Sequence, residues 1–246
     1  MRWPFWSRLL LLCLVILRSA AAFSQGNTPS PPGSQTDKDV RPESRFEKIR
    51  DVPAEWLIGP YIPSTKPLQP LTNRQRQEVY LNQTFGNFGA YFARMFTAGI
   101  DQARNVPSQW GGGMTAYGER FGSRYGQFVA ANTFQSVGNA ALGYEPRYDL
   151  CRCHGFWPRT RHAIVRNFVT YNLTEQERRP AIPLYAGSFG AGMVSSIWLP
   201  GHRNVWKDGA YSALSQAGWG TGINFASEFA IDILQKITSG RYPKKQ

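Results

Sequence analysis

The chain is poor in cysteine and in charge. Three cysteines occur in 246 residues, and charged residues make up 18%. Cys13 falls inside an N-terminal apolar run, which leaves Cys151 and Cys153 for the rest of the chain. A scaffold stapled by several disulfides is thereby excluded. The remaining residues, about 220 of them, must be held by ordinary packing, and that length suffices for one sizeable core. The apolar run at residues 9–17 is too short to cross a bilayer, which takes roughly 20 residues. No convincing period-two alternation is present, so strands should be few or absent. The chain also lacks a phosphate loop, a nucleophile elbow, a His-Glu-x-x-His helix and any nucleic-acid-binding motif.

What is there begins with an export signature. Arg2 and Arg8 precede the apolar run, and Ala20, Ala21 and Ala22 supply small residues before Phe23. This predicts a signal peptide over 1–22 and an exported protein of the periplasm or cell envelope, outer-membrane association included. Leu12 stands before Cys13 where a lipidation site needs a small residue, so no lipoprotein is expected. Without the three arginines of that segment, 25 basic residues face 16 acidic ones. A basic exported protein is expected to meet anionic lipid or another acidic envelope component rather than nucleic acid.

Residues 23–45 are Ser, Pro, Gly, Gln, Asp and Arg with little to bury, and read as a disordered leader. Five prolines between 46 and 71 predict an extended arm, draped on the domain through Trp56, Leu57, Tyr61 and Ile62. A helical domain should fill 72–240. Thr72 and Gln75 form a capping-box pattern that opens a helix near 73, and Val79, Phe85, Phe88, Phe92, Phe96 and Ile100 continue it at helical spacing to about 104. Further helices are expected over 117–142, 160–170, 184–199 and 208–237. The fold class is therefore all-α, about five helices behind a Pro-rich extended arm.

Small residues recur along these helices at intervals of four: Gly118, Gly122, Gly126 and Ala130; Gly187, Ala191 and Ser195; Gly218, Gly222, Ala226 and Ala230. Glycine in a helix interior costs about 1 kcal/mol relative to alanine, so such stripes predict close helix–helix packing. Gly122, Gly126 and Ala130 are spaced like Gly218, Gly222 and Ala226, which hints at an internal repeat. Residues 125–144, 181–200 and 209–227 carry no charge over about the length of a membrane span. Asn132, Gln135, Asn139, Gln216 and Asn224 weaken them as spans, and the same stripes suit a soluble bundle or helices lying on a membrane surface.

Reactive side chains concentrate in residues 145–162. Glu145, Asp149, His154 and His162 could supply an acid–base pair, with Arg147, Arg152, Arg159 and Arg161 holding an anion. An arginine-rich loop between helices is equally what a headgroup-facing loop looks like. Cys151 and Cys153 lack the spacing of common zinc sites, and an oxidising compartment favours a disulfide between them over a metal. No metal and no cofactor is predicted. His202 reads as an exposed loop histidine.

Trp110-Gly111, Tyr117-Gly-Glu-Arg120, Glu145-Pro-Arg-Tyr148, Cys151-Arg-Cys-His-Gly155 and Arg161-His-Ala163, with Pro70-Leu-Thr72, together resemble a family of exported bacterial proteins of unassigned function. The resemblance covers about residues 70–235. It implies a single domain in a bacterial envelope and no particular catalytic role. Residues and resemblance together lead to one expectation first: a non-enzymatic, membrane-associated envelope protein whose basic loop faces anionic lipid, a protein partner or a second copy. A hydrolase or transferase built on the 145–162 cluster stands second. A small metal or redox module at Cys151 and Cys153 stands third.

Overall fold

The computed structural model of the protein describes residues 59–62, 69–151, 153–201 and 204–239, the last nine by their backbone alone. The expected signal peptide and leader, Trp56 and Leu57 of the arm, Arg152 and His202 lie outside the described residues.

Helix α1 (Asn73–Phe85) starts where the capping box places it. The Thr72 hydroxyl accepts the Gln75 amide at 3.3 Å, and the Gln75 side chain accepts the Thr72 amide at 2.9 Å. The single helix expected over 73–104 is instead two, because the chain breaks at Gly86 and α2 (Phe88–Ala103) begins afresh. Asn87 caps the new start, its side chain accepting the Ala90 amide at 3.2 Å. A local cap of this kind satisfies the otherwise orphaned amides and competes with helix continuation. After a single 3-10 turn at Ser108–Trp110 come α3 (Gly113–Ala141) and a two-residue strand, with α4 (Phe156–Phe168) beyond it. The last helices are α5 (Ile182–Ser195) and α6 (Val205–Ser239).

The architecture is mostly helical, as expected, with two small sheets that the sequence pattern did not announce. Strand β1 (Tyr61–Ile62) pairs in parallel with β2 (Tyr148–Asp149), Tyr61 opposite Tyr148. The arm is thus tied to the domain through Tyr61 and Ile62, and Ile62 is buried. Strands β3 (Val169–Asn172) and β4 (Glu177–Pro180) form an antiparallel hairpin between α4 and α5. Helix α3 packs along α5, α5 along α6, and α6 against α4, while α1 and α2 lie on α3.

A core that includes Ile62, Val129, Tyr144, Leu173 and Trp198 also holds large polar side chains, while α2 and α6 turn apolar side chains outward. The largest fully buried side chains are Arg120, Glu228, Asn167, Thr84 and Ser195. On the outside, the exposed residues of α2 are Phe88, Phe92, Met95, Phe96 and Ala103. Exposed positions of α6 up to residue 230 include Trp206, Tyr211, Leu214, Trp219, Ile223 and Phe225. The phenylalanine spacing that marks α2 in the sequence therefore marks its outer face. Among the described residues within the helices α2, α3, α4, α5 and α6 themselves, the exposed charged ones are Arg161 and Lys207, while the segments between them expose Arg104 and the charges of the β3–β4 hairpin.

Glycines make the interior contacts, though not all of the expected ones. Gly122, Gly126 and Gly187 are buried, and a Cβ on Gly187 would meet the Ala131 carbonyl oxygen at 2.8 Å. Gly218 and Gly222 are exposed, and Gly118, Gly218 and Gly222 would each meet nothing within 4 Å, so these three are not contact glycines. The α5–α6 crossing is made instead by Gly192, where a Cβ would lie 2.5 Å from the Asp208 oxygen, and by Gly209, 2.9 Å from Met193 Cγ. The stripe at 218–226 thus points away from the contact, which removes the structural basis for an internal repeat with 122–130. A turn of about 100° per residue separates the two faces of α6 by only a residue or two, so spacing alone cannot choose between them.

Candidate functional site

The chemically richest part of the molecule forms where α6 passes the segment joining α3 to α4. Its centre is Glu228, 1% exposed, on a helix whose residues 209–227 carry no charge. The Tyr148 hydroxyl donates to Glu228 Oε1 at 2.8 Å, and the Cys151 amide donates to the same oxygen at 3.1 Å. Arg159 Nε stands 3.6 Å from Oε2, its guanidinium stacked 4.4 Å over the Phe229 ring. His162 Nε2 lies 3.7 Å from Glu228 and 3.8 Å from the Asp149 carboxylate, and it bonds the Asp149 carbonyl at 2.8 Å. A carbonyl only accepts, so Nε2 carries the hydrogen. Asp149 in turn pairs with Arg166 Nε, and Arg166 Nη2 donates to the Arg147 carbonyl at 2.9 Å.

Local structure explains how these groups meet. The β1–β2 pairing and the Leu150 amide bonded to the Ile62 carbonyl hold residues 148–150 extended, which aims Tyr148 and the Cys151 amide at α6. Arg159, His162 and Arg166 recur at intervals of three and four on α4, hence on one face. Burial, followed by the hydrogen bond to Glu228 and the charges of Glu228 and Asp149, holds the Tyr148 hydroxyl well above the usual phenol range, with Arg166 opposing. Tyr148 is therefore a fixed donor at any neutral pH. A buried carboxylate is tolerated here because it has two neutral donors and a cation beside it.

Cys151 and Cys153 are joined by a disulfide, with Cα atoms 5.2 Å apart, and the Cys153 amide donates to Cys151 Sγ at 3.3 Å. Among the described residues, no group of three or more His, Cys, Asp and Glu is arranged to hold a metal ion.

The sequence-predicted residues separate into those drawn together and those left apart. Asp149 and His162 belong to the cluster, as do Cys151 and Arg159. Glu145 does not: it is buried in its own bidentate pair with Arg147, at 2.8 and 3.1 Å. His154 and Arg161 are exposed. The basic run is thus largely balanced by the chain's own carboxylates, Arg147 by Glu145, Arg159 by Glu228 and Arg166 by Asp149. Sequence reasoning missed Glu228, Tyr148 and Arg166. The available signal for Glu228 was its place as a single acid directly after a long charge-free stretch.

Two other polar networks are structural in character. Arg120, 1% exposed, donates to the carbonyls of Val106, Pro107 and Gly111 at 2.9–3.1 Å and to the side chains of Gln102 and Asn105, pinning the loop between α2 and α3. Asp101 and Arg124 form a bidentate pair at 2.6 and 2.8 Å. A concavity of about 10 Å³ between α1 and α3, lined by Arg76, Tyr80, Asn132 and Asn139, lies away from the cluster and holds no more than a water. Compared with known proteins, the chain matches no family, no curated protein and no solved structure, so its function has to be read from its own side chains.

Proposed function

We propose that this is an exported, non-enzymatic envelope protein that lies on a membrane surface, its apolar outer helix faces buried in the lipid interface. The observation that carries this reading is the apolar exterior of α2 and α6 over an interior that holds large polar side chains. Phe92 and Phe96 on α2 are 65% and 64% exposed, Leu214 and Trp206 on α6 are 74% and 69% exposed, while Arg120 and Glu228 are buried. Water makes such an arrangement costly, since soluble domains rarely leave contiguous apolar patches of more than a few hundred Å² uncovered. A lipid interface rewards it, at about 25 cal/mol per Å² of apolar surface removed from water. No described helix is long and apolar enough to cross a membrane, which favours helices lying in the interface. Tryptophans at positions 157, 206 and 219 suit the headgroup boundary, where an indole keeps its ring in acyl chain and its N–H near water. With Arg147 and Arg159 balanced internally, the contact rests on apolar side chains, with exposed cations such as Arg104, Arg161 and Lys207 to meet the headgroups.

The test is flotation of the full chain with vesicles of phosphatidylcholine alone and with added phosphatidylglycerol, together with quenching of tryptophan emission by brominated lipids. Binding to both vesicle types, quenching by bromines near the headgroup and weak salt dependence are expected. A chain that stays monodisperse and unbound without detergent would sink the proposal. A defined homo-oligomer that hides the same faces in detergent-free buffer would replace lipid by a second copy.

A further inference from the structure

We propose that Arg94 is the headgroup site for a lipid bearing a phosphate oxyanion, with the acyl chains of that lipid lying against Phe92, Met95 and Phe96 on the same helix. The inference rests on the lipid-facing reading of α2 and adds to it the chemistry of the lipid. Its ground is a cation without an acceptor. Of the described arginines that are not exposed, Arg124, Arg147, Arg159 and Arg166 each pair with a carboxylate. Arg120 donates to three loop carbonyls, and Arg76 to the Tyr144 carbonyl at 2.9 Å. Arg94 does neither. Its guanidinium lies 4.4 Å over the Phe128 ring, and among the described residues no carboxylate, carbonyl or side-chain oxygen accepts from it. A guanidinium carries five N–H donors, and a ring face does not satisfy them as oxygens do.

The surroundings say which ligand fits. Asp101, the acid on the same face of α2, has both oxygens taken by Arg124 at 2.6 and 2.8 Å, so Arg94, Arg124 and Asp101 together keep one net positive charge. Burial, followed by the charge of Arg124, opposes the charge on Arg94 without removing it at neutral pH. Unlike Arg120, Arg94 holds no loop by hydrogen bonds, so the fold itself does not call for a guanidinium at this place. A planar guanidinium takes a phosphate oxyanion through paired N–H bonds, which are stronger where polarity is low and are screened less by salt. Within two residues of Arg94 along α2, Phe92, Met95 and Phe96 are 65%, 45% and 64% exposed. One turn of helix thus offers a cation beneath the surface and bare apolar side chains upon it, the two chemistries that a phospholipid joins in one molecule. A choline headgroup brings its own cation to the phosphate. The site therefore favours a headgroup whose only charge is the phosphate, such as phosphatidylglycerol.

Thermal unfolding of the full chain should be followed in titrations with dihexanoyl phosphatidylglycerol below its micelle concentration, with the matching phosphatidylcholine, and with inorganic phosphate. These lipids are monomeric, so loss of the headgroup site is read apart from loss of vesicle binding. Phosphatidylglycerol is expected to raise the midpoint with an affinity at least roughly tenfold above that of phosphatidylcholine, while inorganic phosphate at the same concentration leaves it unmoved. Arg94→Met should abolish the preference and leave the ligand-free midpoint equal or higher, because an apolar chain of similar length replaces a buried charge without a partner. Arg94→Lys, which keeps the charge and loses the planar fork, should retain only part of the preference. Equal affinities for the two lipids in the wild type would overturn the proposal, as would a preference that survives Arg94→Met. Ligand-free midpoints well below the wild type in both Arg94→Met and Arg94→Lys would make the guanidinium structural and overturn it too. An Arg94-dependent shift with inorganic phosphate alone would replace the lipid by the free oxyanion.

Discussion

Helices α1 and α2 follow one another with a two-residue break, lie along one helical spacing of apolar residues, and have opposite exteriors. The exposed residues of α1 are Asn73, Arg74, Gln75, Gln77, Glu78, Leu81, Asn82 and Phe85, an ordinary wetted surface. Those of α2 are three phenylalanines, a methionine and an alanine, and its charges point inward. Asp101 is buried against Arg124, and Arg94, beneath the surface and 4.4 Å over the Phe128 ring, is pushed down to about 10 by burial and by Arg124 beside it. It still carries its charge at neutral pH. Period alone cannot separate the two helices. What separates them is which side of the period the charged residues occupy, and on α2 the interior needs them more than the exterior does.

The strongest way to break this contrast is to remove the polar interior under α2. Arg120→Met leaves three loop carbonyls and two side-chain oxygens without their donor, and should cost about 3–5 kcal/mol in denaturant unfolding. An unchanged midpoint would mean that the loop between α2 and α3 does not depend on that guanidinium. Phe92→Ser with Phe96→Ser should lower vesicle affinity by roughly 3 kcal/mol, about a hundredfold, while unfolding stability moves by no more than about 0.5 kcal/mol. Equal losses in both measurements would place these rings in the core.

Tyr148→Phe removes a hydrogen bond to a charged acceptor and should cost about 1.5–3 kcal/mol. Because the folded-state pKa of Tyr148 is raised, its contribution is fully present below the ordinary phenol pKa of about 10 and is lost as pH climbs above it. The variant should therefore show a flatter alkaline limb, read from unfolding midpoints across that range. At the α5–α6 crossing, Gly192→Ala should destabilise by about 1–3 kcal/mol, whereas Gly222→Ala, on the open face, should stabilise by up to about 1 kcal/mol. Matching signs for the two would refute the placement of α6. The smallest effect belongs to α1, where Arg74→Ala deletes an exposed pair with Glu78 and should shift stability by about 0.3–0.5 kcal/mol, vanishing in high salt.

Much of the helical framework is legible in the chain itself. The Thr72–Gln75 cap and the proline in the first turn of α5 each act within a turn or two, so their consequences can be read locally. The division at Gly86 was harder to see, because a helical period continues through it while Asn87 caps the next helix. The candidate site was half legible. Asp149, Cys151, Arg159 and His162 lie in one short segment that attracts attention by its chemistry. Glu228 is 77 residues further on than Cys151, and no local pattern links the two.

From sequence alone followed the class of fold, the start of α1, the scarcity of cysteine and the concentration of reactive groups near 145–162. Tertiary structure decided the rest: which glycines touch, which face of each amphipathic helix turns inward, and which carboxylate each arginine meets. The physical reason is range. Caps, turns and glycine costs act between neighbours in the chain, whereas helix facing and ion pairing are settled by the elements that pack alongside. In this protein those elements placed Arg120 and Glu228 inside and the rings of Phe92, Phe96 and Trp206 outside.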